Sequence, residues 1–92
     1  MTSSTHSRRR LLVDGIVQGV GFRPFVYNLA RSEELAGHVT NTSDGVIIEV
    51  QGPPEVLDRF TARLKAEAPP LAEIVAVTAE AQAATGGNGG FE

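Results

Sequence analysis

Apolar residues along this 92-residue chain change their period in a definite order, and that order leaves few folds open. The run RRLLVDGIV, residues 9–17, is rich in aliphatic and β-branched side chains and reads as a first strand. Phe22, Val26 and Leu29 then recur at helical spacing, as do Phe25 and Leu29, so a helix is expected to about Glu34. Pro24 suits its first turn, where a missing N–H is no loss. LAGHVTNTS, residues 35–43, returns to strand, and SDG, residues 43–45, reads as a tight hairpin turn. VIIEVQG, residues 46–52, places Val46, Ile48 and Val50 on one face of a third strand. Pro53 and Pro54 break that strand and open a second helix with an apolar stripe of Val56, Leu57, Phe60 and Leu64. Glu55 stands four residues before Arg59 on the same helix, a spacing that favours an ion pair. APP, residues 68–70, ends the helix, and AEIVAVTAE, residues 72–80, is a fourth strand.

The resulting β-α-β-β-α-β order is that of an α+β, ferredoxin-like sandwich: one antiparallel sheet with two helices on one face. A chain of this length suits a single small domain. Residues 1–7 read as a disordered tail and 8–82 as the domain. Residues 83–92 read as a flexible glycine-rich tail leading into a truncated last strand or a next domain.

Several function classes drop out on composition. The chain has no cysteine, which removes disulfides, thiolate nucleophiles and cysteine-based metal sites, and is compatible with a cytoplasmic location. No apolar run approaches the ~20 residues that cross a bilayer, so no membrane association is expected. Eleven acids against eight bases give a net charge of −3, which argues against a general grip on nucleic acid. Arg8, Arg9 and Arg10 read as a solvated lead-in to the first strand. His6 and His38 lack metal-ligand spacing and read as surface or edge residues, so no metal site is expected. Neither histidine has a serine or aspartate partner that would build a nucleophilic triad.

The stretch DGIVQGVGFRPF, residues 14–25, carries the chemistry. It is not a dinucleotide fingerprint, because the third glycine would fall on Pro24, and it lacks the Gly-Lys-Ser/Thr triplet of a Walker loop. Glycines nevertheless let successive backbone N–H groups converge on an anion, and the loop runs straight into a helix start. Arg23 stands at that junction with a fork of donors that matches two phosphoryl oxygens. A cation there opposes the helix dipole, which invites a compensating anion. The plain alternative is a glycine-rich β–α turn with an exposed arginine. Asn41 shares strand parity with Val39, so if Val39 faces the core, Asn41 points to the side where the loop lies. Its carboxamide can accept from a water while donating to an oxygen. The alternative for Asn41 is a strand-end residue bonded into the NTSDG turn.

GIVQGVGFRPFVYNLA followed by GHVTNTSDGVIIEVQG resembles the acylphosphatase family, whose signature runs G-x-V-Q-G-V-x-F-R and later G-x-V-x-N-x-x-D-G. The variant VGFRPFVYNLA, with APPLAEI downstream, is similar to the N-terminal domain of the HypF family of hydrogenase-maturation carbamoyltransferases. The resemblance implies a phosphate cradle formed by Gln18, Gly19, Val20, Gly21 and Phe22. Arg23 would hold the phosphoryl oxygens, and Asn41 would orient the hydrolytic water. The implied reaction converts an acyl phosphate, carbamoyl phosphate in that family, to carbamate and phosphate. It implies no cofactor in this domain, with ATP and zinc used by other domains of full-length members, and eventual delivery to the partner HypE. A stand-alone acylphosphatase and a non-catalytic phosphate-binding module are the competing readings. Two residues depart from the family pattern. Glu34 stands where a glycine usually ends the first helix in a left-handed residue, and His38 replaces a common tryptophan.

Overall fold

A computed structural model describes residues 6–17, 19, 21–43, 45–84 and 91. Its elements are β1 (Ser7–Ile16), α1 (Phe22–Ser32), β2 (Ala36–Asn41), β3 (Gly45–Gly52), α2 (Pro54–Ala66) and β4 (Glu73–Gln82). The strands form one sheet in the order β2-β3-β1-β4, and each neighbouring pair is antiparallel. The expected β-α-β-β-α-β sandwich is what the chain adopts. Its glycine-rich segment 85–90, expected to be flexible, lies outside the described residues, as do residues 1–5.

Alternation along the strands sorts the side chains. Leu11 and Val13 of β1 and Val46, Ile48 and Val50 of β3 are at most 1% exposed and face the helices. From α1 they meet Phe22, Val26, Leu29 and Ala30, and from α2 Leu57, Phe60 and Leu64. Phe22 and Phe60 are fully buried and anchor one helix each; burying a side chain of this size contributes roughly 1.5–3 kcal/mol.

The three arginines expected to be a solvated lead-in lie inside β1, and this corrects that reading. Arg8 and Arg10 both reach Glu49, at 3.0 and 3.4 Å, and Arg9 reaches Asp58 of α2 at 2.7 Å. The alternation that buries Leu11 and Val13 puts Arg9 on the helix side and Arg8 and Arg10 on the open face, so each finds a different carboxylate. The Arg8 guanidinium holds the Glu49 carboxyl below its ordinary range, with smaller help from His38 and Arg10.

Arg59 likewise passes over the same-helix partner expected for it. It grips Glu33 of α1 through a two-pronged contact at 2.7–3.0 Å, and Arg63 adds a further bond at 2.9 Å. A carboxylate side chain 7% exposed, with three donors around it, is a better acceptor for the fork than the solvated Glu55. Hydrogen bonding from Arg59, then from Arg63, lowers the Glu33 carboxyl to about 2 in spite of its burial. The folded-state value lies below the unfolded one, so the stabilisation is complete above pH 4.5 and is lost as pH falls toward 2. Glu33→Gln should therefore lower stability at neutral pH and flatten part of the acid limb of a stability–pH profile measured by urea unfolding. The expected loss is about 1–2 kcal/mol, because water screens the half-exposed Arg59. A profile unchanged by the substitution would rule the clamp out as a stabilising feature.

The end of α1 contains strain. Glu34 has φ 59°, and its N–H donates to the Arg31 carbonyl at 3.0 Å while Leu35 N–H donates to Ala30 at 2.9 Å. These are the two bonds of a Schellman close, which needs a left-handed residue and normally takes glycine. A side chain there costs roughly 1–2 kcal/mol. Part of that returns as entropy when the residue is glycine, so Glu34→Gly is expected to stabilise by about 0.5–1 kcal/mol and raise the melting temperature by roughly 2–6 °C. A lower melting temperature would contradict this.

Two further details concern the ends of the strands. The β1–β4 register shifts between Asp14 and Gly15, a bulge that re-aims the end of β1. Beyond the four strands, Phe91 makes a parallel bridge to Gly37 at the outer edge of β2 and is 5% exposed, with its ring set edge-on to Tyr27.

Candidate active site

The ends of β1, β2 and β3 and the start of α1 meet at one end of the sheet. There Val17, Gly19, Gly21, Phe22, Arg23, Pro24 and Asn41 line a hollow of about 200 Å³. Of the residues singled out from the sequence, the structure thus brings together Gly19, Gly21, Phe22, Arg23 and Asn41. Gln18 and Val20 lie outside the described residues. Val17 and Pro24 were not anticipated as lining; their adjacency to Gln18 and Arg23 was the available signal.

Gly19 and Gly21 have φ of 73° and 81°, yet a Cβ built on either would meet nothing within 4 Å. Both facts matter. The left-handed backbone demands glycine, and the space above it is free to receive a ligand rather than filled by protein. Gly21 is the N-cap of α1 and supplies no side-chain cap, so the first-turn N–H groups of the helix remain open to an outside acceptor. Phe22 is 1% exposed, so its ring belongs to the core and only its backbone can serve the hollow.

Electrostatics single out Arg23. Helix α2 follows the dipole rule, with Glu55 in its first turn and Arg63 and Lys65 in its last. Helix α1 has no acid in its first turn and carries Arg23 there instead. The other six arginines each have a partner: Arg8 and Arg10 on Glu49, Arg9 on Asp58, Arg59 and Arg63 on Glu33, and Arg31 on the Tyr27 hydroxyl and ring. Among the described residues, Arg23 makes no hydrogen bond or ion pair. Asn41 is exposed at the last position of β2, while Val39, of the same parity, packs on the core. The turn beyond it is pinned by Thr42 N–H donating to the Gly45 carbonyl at 2.9 Å and Gly45 N–H donating to the Thr42 hydroxyl at 3.0 Å. Such an arrangement places the bare backbone of Gly19 and Gly21, a guanidinium without a partner among the described residues and one carboxamide around a space that fits a small tetrahedral anion.

Comparison with known proteins gives the family. Residues 9–92 match the acylphosphatase family model. The chain is 50% identical over 84 residues to carbamoyltransferase HypF2 of Cupriavidus necator, covering 91% of this chain and 10% of that protein. It is 39% identical over 80 residues to an acylphosphatase of Syntrophotalea carbinolica, covering 86% of each. Among solved structures it matches full-length HypF in a phosphate- and nucleotide-bound form, with a TM-score of 0.86 at 36% identity over 89% of this chain and 11% of that one. Acylphosphatase from Bacillus subtilis matches with a TM-score of 0.83 at 35% identity, over 95% and 96% of the two chains. The chain belongs to the acylphosphatase family and is an acylphosphatase-type hydrolase domain. Within that family it is homologous to the N-terminal domain of HypF carbamoyltransferases. It spans about a tenth of the length of the HypF proteins it matches.

Proposed function

We propose that the chain hydrolyses carbamoyl phosphate to carbamate and inorganic phosphate, as the first step of carbamoyl transfer in maturation of nickel–iron hydrogenase. The observation that carries the reading is that Gly19, Gly21, Asn41 and Arg23, the last without a partner among the described residues, line one small hollow. The higher identity to HypF2 than to the free-standing acylphosphatase favours carbamoyl phosphate among acyl phosphates. In a cell the reading places the domain in the cytoplasm, with HypE receiving the carbamoyl group through the longer protein.

The residues suit the step. Loop amides from 18 to 22 and the Arg23 fork hold the phosphoryl oxygens, and Asn41 holds a water in line with the scissile bond. The water oxygen bonds to phosphorus as the bond from phosphorus to the carbamate oxygen breaks, and carbamate leaves with the electron pair. The described lining of the hollow contains no carboxylate or imidazole, so the water's proton passes to a phosphoryl oxygen of the substrate itself. An acyl phosphate is activated enough for positioning and charge stabilisation to suffice.

A generic acylphosphatase is the second reading, favoured by the near-complete coverage of the Bacillus subtilis enzyme. Phosphate release from carbamoyl phosphate and from acetyl phosphate separates the two. A clear preference for carbamoyl phosphate supports the first reading, equal rates support the second, and binding of phosphate with no turnover of either removes both.

A further inference from the structure

The hollow has two kinds of wall. Gly19, Gly21, Arg23 and Asn41 are polar or bare, while Val17, Phe22 and Pro24 are apolar. Val17 and Phe22 are each 1% exposed, so their side chains are committed to the core and give a bound molecule only a floor. Pro24 is exposed. Among the described lining residues it is therefore the one apolar side chain that a ligand can cover.

Its placement is rigid. The ring is fused to the backbone at the third residue of α1, and Phe25 N–H next to it donates to the Gly21 carbonyl at 3.2 Å. The Phe25 ring leans on Phe22 with centroids 5.7 Å apart, tying this turn to the core. Any other residue at the third helical position would present a free N–H; proline presents none. Next to the guanidinium there is thus a small apolar surface with no donor.

An acyl phosphate has two unlike halves. Its phosphoryl group takes N–H donors, whereas the flat face of its planar acyl group directs no hydrogen bond outward and packs on an apolar surface. Resting on the hydrolytic reading above, we propose that Pro24 is a specificity-determining residue, its ring forming the wall against which the acyl substituent packs. The missing N–H at residue 24 also orients the substrate, because phosphoryl oxygens gain no bond by shifting toward that wall. Larger planar acyl groups cover more of the ring and gain more from it.

The test compares wild type with Pro24→Ala, which keeps a helix-compatible residue and restores the N–H. Equilibrium dissociation constants are measured for inorganic phosphate, acetylphosphonate and benzoylphosphonate, the last two being non-hydrolysable analogues of acyl phosphates. Thermal melts confirm that both proteins are folded. The expected result is a wild-type preference for benzoylphosphonate over acetylphosphonate that shrinks about threefold to tenfold in Pro24→Ala, with phosphate affinity held within about twofold. An unchanged preference, or a phosphate affinity that weakens in step with both phosphonates, overturns the proposal. So does a wild type that binds none of the three. Because the readout is binding, a wild type that shows the Pro24-dependent preference but turns over neither carbamoyl nor acetyl phosphate sinks the hydrolytic reading and leaves the wall standing.

Discussion

Arg23→Ala should cut kcat/KM for an acyl phosphate by about 10²–10³-fold, the scale seen when one preorganised donor is removed from a developing charge. The unpartnered state of Arg23 underlies the size of this effect. Its fork is held by no carboxylate among the described residues, so none of its capacity is spent on the fold and its removal should leave the melting temperature nearly unchanged. Inorganic phosphate binding should weaken along with turnover, because the same guanidinium holds ground state and transition state. Asn41→Ala should behave differently. With the loop and Arg23 intact, phosphate affinity should stay within about threefold, while kcat falls by about 10²-fold for want of an aimed water. The measurements are phosphate release over a range of substrate concentrations, from well below KM to saturation, and phosphate titration by calorimetry on all three proteins. Equal kcat/KM in wild type and both variants would end the catalytic assignment.

The largest effect on stability is expected at Gly37. This residue of β2 has φ 137°, and a Cβ there would lie 1.8 Å from the Glu49 carbonyl oxygen and 2.7 Å from its carbonyl carbon. Both obstacles are backbone of the paired strand, so no rotamer change relieves them. Gly37 is paired with Val50 of β3, and on its other side it receives the Phe91 bridge, so the clash falls where β2 is gripped from both edges. Gly37→Ala should destabilise by about 3 kcal/mol or more, combining backbone strain with overpacking. That is a large share of the stability of a domain this small. The urea midpoint should drop without a compensating change in slope. A loss under 1 kcal/mol would mean that β2 can move away from β3 at little cost. Activity is a second readout, since Asn41 ends the same strand: residual folded protein should turn over more slowly if β2 is displaced.

Much of this could be read before any coordinates. Periodicity located six elements because each strand or helix buries a single face, and a face repeats at about two or 3.6 residues whatever it packs against. The glycine loop and Arg23 were legible because unusual backbone needs glycine, and a cation at a helix start defies the local field. For Asn41 parity gave the side of the sheet, while a strand-end residue bonded into the NTSDG turn stayed the stronger reading from the residues themselves. In each case the cause lies within a few residues of its effect.

Partnerships across the chain were not legible in that way. Arg59 looked paired with Glu55 one turn away, yet it binds Glu33, and the run Arg8–Arg10 looked solvated, yet it is divided between Glu49 and Asp58. Charge attracts at any sequence separation, and only the packing of α1 on α2 and of β1 beside β3 decides which carboxylate is near. The same holds for Pro24, whose role at a helix start was evident from its neighbours while its place on the wall of a hollow depended on where β2 delivers Asn41. Order and type of element, together with the bare loop and its arginine, were thus determined locally by the sequence. Which groups face one another across the hollow was decided by tertiary structure, because separation in space sets those energies and separation along the chain does not.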